Sequence, residues 1–201
     1  MPLVGTKANA GASGLGFLSS IPGEELGGLV LMTPTSVDKT GTSATITTNG
    51  AVEFTACSSI SLNGVFTSEY DNYKIVVRAT CASQVSLQLR WRASGSDASG
   101  TNYTTQLVYV TPSSVAASRD IRNYHYLGYV SAAGYLGVTV DTYGPQIAAS
   151  THLRTISIMP YPGPEIWDEM ETHSLATSYD GVTIYSSANW TGQIAVYGMN
   201  D

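Results

Sequence analysis

Charge is scarce in this chain of 201 residues: Asp, Glu, Lys and Arg together make up 12%, about half the usual share of a globular domain. Basic residues are the scarcer sign, nine against fifteen acidic, for a net charge of −6. Only Arg90/Arg92 and Arg119/Arg122 come in pairs. A phosphate-binding surface needs a basic stripe, so nucleic acid is disfavoured as a partner. No apolar run reaches the roughly 18 residues a membrane-spanning helix requires. The opening Met1-Pro2-Leu3-Val4-Gly5-Thr6-Lys7 lacks the apolar run of about 7–15 residues of a secretory signal. A soluble product made in a cytoplasm, with no membrane insertion, is expected. Cysteine occurs twice, Cys57 and Cys81, each in an apolar-leaning stretch. Free cysteine behaves as a small buried hydrophobe, and a cytoplasm keeps thiols reduced, so two buried thiols are expected rather than a disulfide. Helical periodicity is nearly missing, as are repeats of the length that would signal a propeller or solenoid.

What fills the space is Gly, Ser, Thr, Ala and above all Tyr, thirteen against three Phe. Tyrosine suits half-buried sheet faces and interfaces, because its ring can be covered while its hydroxyl stays wet. The clearest pattern lies between Ile60 and Arg92. Tyr73, Ile75, Val77, Ala79 and Cys81 alternate with Lys74, Val76, Arg78 and Thr80; Val85, Leu87, Leu89 and Trp91 alternate with Ser86, Gln88, Arg90 and Arg92. A period of two marks half-buried antiparallel strands. Only Ala82, Ser83 and Gln84 separate the two runs, so they read as a hairpin.

Short strands recur on both sides, at 28–32, 43–48, 51–56, 58–62, 103–110, 124–130, 135–140, 153–159, 182–185 and 193–197. Turn signals such as Asn49-Gly50, Asn63-Gly64, Ala133-Gly134 and Asp180-Gly181 lie between them. Many short strands at this spacing predict an all-β fold, a jelly-roll-like antiparallel β-sandwich, over residues 28–201. The stretches 113–120 and 166–177 read as loops with modest helical character. Residues 1–27 differ: they are rich in Gly and Ala, with sparse anchors including Leu15, Phe17 and Leu18. Small residues bury too little to offset the entropy of ordering. This segment is expected to be an extended N-terminal arm that docks on a partner through Leu15, Phe17 and Leu18.

No catalytic constellation is visible. His125, His152 and His173 show neither metal-ligand spacing nor a nucleophile elbow nearby, and read as sheet-face or edge histidines. Glu165, Asp168, Glu169 and Glu171 cluster near Trp167. Paired carboxylates beside an aromatic wall suit a glycosidase, and oxygen-rich loops can hold calcium. Without a specific calcium motif, carboxylates on a Pro-rich segment read as solvated. Asn102-Tyr103-Thr104 and Asn189-Trp190-Thr191 match the glycosylation acceptor but read as accidental without a secretory signal. No catalytic, cofactor-binding or metal-binding residue is assigned, and no enzyme activity is expected.

The run Leu62-Asn63-Gly64-Val65-Phe66, then Glu69-Tyr70-Asp71-Asn72-Tyr73, Lys74 to Arg78 and Leu87-Gln88-Leu89-Arg90 resembles β-sandwich domains of tailed-bacteriophage virion proteins. Ile194-Ala195-Val196-Tyr197-Gly198 is similar to the strand that closes such domains, and Gly5 to Gly11 to their docking leaders. The resemblance covers residues from about 43 to 199 plus the leader. It implies a virion structural protein that is oligomeric, usually a homotrimer, with no catalytic residues. A small tail fibre or appendage, docked by its arm to other virion proteins, is the leading expectation. A capsid decoration protein is the alternative from the same setting. A carbohydrate-binding module that stacks a host glycan on Trp167, Tyr179 or Trp190 is the alternative from another class.

Overall fold

A computed structural model describes residues 28–132, 134–159 and 165–199. Those residues contain no helix. They form β1 (Leu29–Met32), β2 (Ser36–Ile46), β3 (Val52–Asn63), β4 (Asn72–Thr80), β5 (Val85–Ala93), β6 (Ser96–Asp97), β7 (Tyr103–Thr111), β8 (Ser114–Arg122), β9 (His125–Val130), β10 (Leu136–Tyr143), β11 (Thr151–Met159), β12 (Glu165–His173) and β13 (Gly181–Met199). Every pairing between strands is antiparallel. The all-β antiparallel class expected from the alternation is the one observed.

The long strand β13 ties the two layers together. Its first part, Gly181 to Tyr185, lies between β3 and β5. Its second part, Thr191 to Met199, pairs along its length with β4. Between Tyr185 and Trp190 its register with β3 slips. One layer therefore runs β2-β3-β13-β5-β9, and the other runs β13-β4-β10-β11-β12-β7-β8. Strand β9 lies over β10, β11 and β12. Ser157 Oγ donates to the carbonyl of Leu127 at 2.6 Å across this gap.

The alternation in β4 and β5 is the core itself: Tyr73, Ile75, Val77, Leu87, Leu89 and Trp91 are all buried. Fully burying side chains of this size is worth roughly 1.5–3 kcal/mol each. Their partnership differs from the hairpin reading. β4 pairs with β10 and β13, whereas β5 pairs with β13, β6 and β9. The three-residue link is a corner between layers, and β13 serves both strands because its two parts face different neighbours. At that corner the Cys81 thiol donates to the Asn189 carbonyl at 3.0 Å, on the irregular part of β13. Cys57 and Cys81 are both buried and free, as expected.

Two stretches read as loops are strands. Residues 114–122 form β8, an edge strand exposed along most of its length. With no buried face, it carries no apolar alternation to read. Residues 165–173 form β12, between β11 and β7. Its alternation is inverted: Ile166 and Met170 face out, while Glu169 and Glu171 face in and are 2% and 4% exposed. The solvated reading of these two carboxylates is thereby overturned. The proposed arm, with Leu15, Phe17 and Leu18, lies outside the described residues.

Candidate functional site

The second layer extends past the first. Strands β7 and β8 continue the sheet beyond the edge strand β9, and their inner face is left partly open. The register sets out what that face carries. Trp167 is paired with Tyr109 and Tyr109 with Ala116; Glu169 is paired with Leu107 and Leu107 with Ser118. Further along, Glu171, Thr105 and Asp120 form a row, and so do His173, Tyr103 and Arg122. Beside this floor stand Tyr126 and Tyr129 of β9. The result is a cleft of about 590 Å³ whose lining includes Tyr109, Tyr126, Tyr129, Trp167, Arg122 and Asp120.

Trp167 is its centre. Its ring lies 5.1 Å from Tyr126, 5.3 Å from Tyr109 and 5.7 Å from Tyr129, and Tyr126 lies 5.5 Å from Tyr129. Tilted and edge-on contacts of this kind are the favoured geometries of aromatic pairs. They hold the indole in one orientation. Its Nε1 donates to Glu165 Oε2 at 3.2 Å, so the polar edge of the ring is also fixed. Burial, ahead of the neighbouring Tyr129, pushes the Tyr126 hydroxyl far above the ordinary tyrosine range, which keeps it neutral.

Arg122 closes one end. Its Nε donates to Asp120 Oδ2 at 2.9 Å and a terminal nitrogen to Glu169 Oε1 at 3.5 Å, with the guanidinium 5.8 Å from the ring centres of both Tyr124 and Tyr126. The Arg122 side chain and the backbone N–H of Ile121 hold Asp120 below the usual carboxylate range, so it is an ionised acceptor at the rim. Rigid apolar faces beside a few convergent polar groups are what a small-molecule site requires.

Beneath the cleft, three buried groups meet. His125 Nδ1 lies 2.9 Å from Glu171 Oε2 and 3.9 Å from Glu169 Oε1, while Nε2 lies 2.6 Å from Thr155 Oγ1. Burial works against charging this imidazole, but Glu171 and Glu169 outweigh it and raise His125 above the ordinary histidine value. Burial also raises Glu169, opposed by His125 and Arg122.

The three aromatics singled out from the sequence part company here. Trp167 is half-buried at the cleft. Tyr179 is 2% exposed, stacked 6.1 Å from Trp91, and Trp190 is 1% exposed, 4.3 Å from Phe54. Both fill the core and offer no face to a ligand. The cleft partners Tyr109, Tyr126 and Tyr129 were not singled out. Tyr126 and Tyr129 had one signal, the density of tyrosine around His125, and Tyr109, on β7, had none. Of the other histidines, His152 is exposed and hydrogen-bonds Thr172 at 3.1 Å, and His173 is buried against Tyr103 and Tyr179. A second hollow of about 480 Å³ lies on the outer face, lined by Gln106, Arg119, His152, Arg154 and Met170 among others; Tyr143 is its one aromatic wall.

No family model matches the chain, and no curated protein matches it. Among solved structures, the CBM2 module of the Lactobacillus casei BL23 phage J-1 evolved Dit is 14% identical, over 84% of this chain and 92% of that one, with a TM-score of 0.38. The Emp47p carbohydrate recognition domain is 9% identical, over 89% of this chain and 100% of that one, with a TM-score of 0.32. At such identities and TM-scores, these likenesses carry no argument about ligand or assembly.

Proposed function

We propose that the chain is a structural component of a bacteriophage virion whose β-sandwich binds a surface glycan in the Trp167 cleft. The observation that carries the binding half is the cleft itself: four aromatic rings locked against one another and flanked by Asp120, Glu165 and Arg122. A pyranose presents an apolar C–H face and a rim of hydroxyls. The partly exposed rings of Trp167, Tyr109 and Tyr129, backed by the buried Tyr126, match the first and the charged groups the second, since hydrogen bonds to ionised groups are the stronger class. Arg122 is already engaged by Asp120 and Glu169, which leaves acceptors in excess. Neutral or amino sugars therefore suit the cleft better than sialylated or sulfated ones.

The virion half is supported by the resemblance of Leu62 to Phe66, Glu69 to Tyr73 and Leu87 to Arg90 to phage virion β-sandwiches. On this reading the protein is no enzyme; it is a small fibre or appendage, a homotrimer, docked through Leu15, Phe17 and Leu18. Capsid decoration is the second reading, supported by the low charge and Gly/Ala-rich leader. Glycan-array screening of the full chain beside Trp167→Ala tests the binding half. Array signals shared equally by both proteins, or none from either, would sink it. Deleting residues 1–20 should abolish incorporation into particles while leaving the sandwich folded, and continued incorporation would refute the docking arm.

A further inference from the structure

We propose that His125, Glu169 and Glu171 form a binding centre for a divalent transition-metal ion of the zinc or manganese class, beneath the aromatic cleft. The three side chains come from two layers, β9 and β12, and all are buried; one ligand atom from each lies within 4.8 Å of the others. Four-coordinate zinc with bonds of about 2.0–2.1 Å places its ligand atoms about 3.3 Å apart. The separations of 2.9 and 3.9 Å from His125 Nδ1 to the two carboxylates bracket that value.

The surroundings complete the case. Metal-bound histidine typically gives its second ring N–H to an oxygen acceptor, which fixes the tautomer. Thr155 Oγ1, buried and 2.6 Å from His125 Nε2, is placed to take that proton and leave Nδ1 to the metal. Glu171 Oε1 is buried without a hydrogen-bond partner, which is costly for a carboxylate oxygen unless a cation completes it. Charge points the same way. Arg122 gives its closer bond to Asp120 (2.9 Å) and a 3.5 Å contact to Glu169, so the nearest basic group to Glu171 is His125, 2.9 Å away. Two buried carboxylates facing one imidazole can be balanced by a proton on that ring or by a divalent ion in its place, and only the ion also completes Glu171 Oε1. Entry would be from the cleft, where Arg122 stands between solvent and Glu169. The competing arrangement is a metal-free imidazolium clamped between the two carboxylates.

Titration calorimetry decides between them, using the untagged full chain stripped with chelator and then given zinc or manganese ion alone at neutral pH. The expected result is one equivalent bound and a melting temperature raised by saturating ion, because a ligand bound only by the folded state stabilises it. Glu171→Gln should abolish stoichiometric binding. Thr155→Val, which keeps all three ligands, should weaken it about 10- to 100-fold, and it carries the test if the first variant does not fold. No binding heat with either ion and an unmoved melting temperature would overturn the proposal in favour of the imidazolium network. So would binding that neither substitution weakens.

Discussion

The indole of Trp167 and the phenol of Tyr126 meet at 5.1 Å, across the gap between β12 of one layer and β9 of the other. This contact fixes the cleft, because it joins a residue on the open floor to one on the edge strand. Removing the indole should therefore cost packing as well as binding, and Trp167→Phe, which keeps a ring at this position, separates the two. Trp167→Ala is expected to lower glycan affinity about tenfold or more, the equivalent of one lost stacking contact of roughly 1.4 kcal/mol. Trp167→Phe should fall between, as calorimetry with the tightest array glycan would show.

Tyr103 makes a parallel case in the core. Its ring lies 4.3 Å from His173, which also shares a 3.1 Å hydrogen bond with Tyr179. Burial depresses His173 from 6.5 to about 4. A group whose folded pKa lies below its unfolded one stabilises the fold above the unfolded value, and that contribution is lost as pH falls through the folded value. Denaturant unfolding should therefore show stability declining between about pH 6.5 and pH 4. His173→Phe should flatten this part of the profile; an unchanged slope would remove His173 as its source.

Gly192 lies where β13 runs between β3 and β4. A Cβ there would sit 2.1 Å from the Arg78 carbonyl oxygen, a distance the sheet cannot accept without moving a backbone. Gly192→Ala is expected to destabilise the fold by about 2–4 kcal/mol, in the range of severe core substitutions. A urea midpoint equal to that of the unaltered chain would show that the two layers are not joined through this strand as described.

Cys57 and Cys81 are both buried, their thiols donating to the carbonyls of Ser43 and Asn189. Thiol reagents act on accessible thiolates. Neither cysteine should react in the folded protein, and two should react in denaturant without any reductant. Fewer than two after unfolding would mean a disulfide.

Much of the core was legible because β4 and β5 bury one face each, so Tyr73 to Ala79 and Leu87 to Trp91 alternate cleanly. What alternation cannot convey is which strand pairs with which. The short link from Cys81 to Val85 suits a hairpin as well as a layer change, and only the slip in β13 after Tyr185 decides it. The site was harder still. On β12 the inward positions hold Trp167, Glu169, Glu171 and His173, and the outward ones hold Ile166 and Met170. Local sequence shows the reverse of a buried face, because the compensating partners Arg122 and His125 lie more than forty residues away. Trp167 could be named from sequence; the tyrosines around it are gathered by sheet register alone.

The most direct test of glycan binding in the cleft is nuclear magnetic resonance of the three indole N–H groups during a glycan titration. Trp167 Nε1–H donates to Glu165 at the cleft, whereas Trp91 and Trp190 are buried in the core. The Trp167 signal should move with saturating dependence on glycan while those of Trp91 and Trp190 stay in place. Saturable binding that leaves the Trp167 signal unmoved would place the ligand elsewhere and contradict the assignment of this cleft.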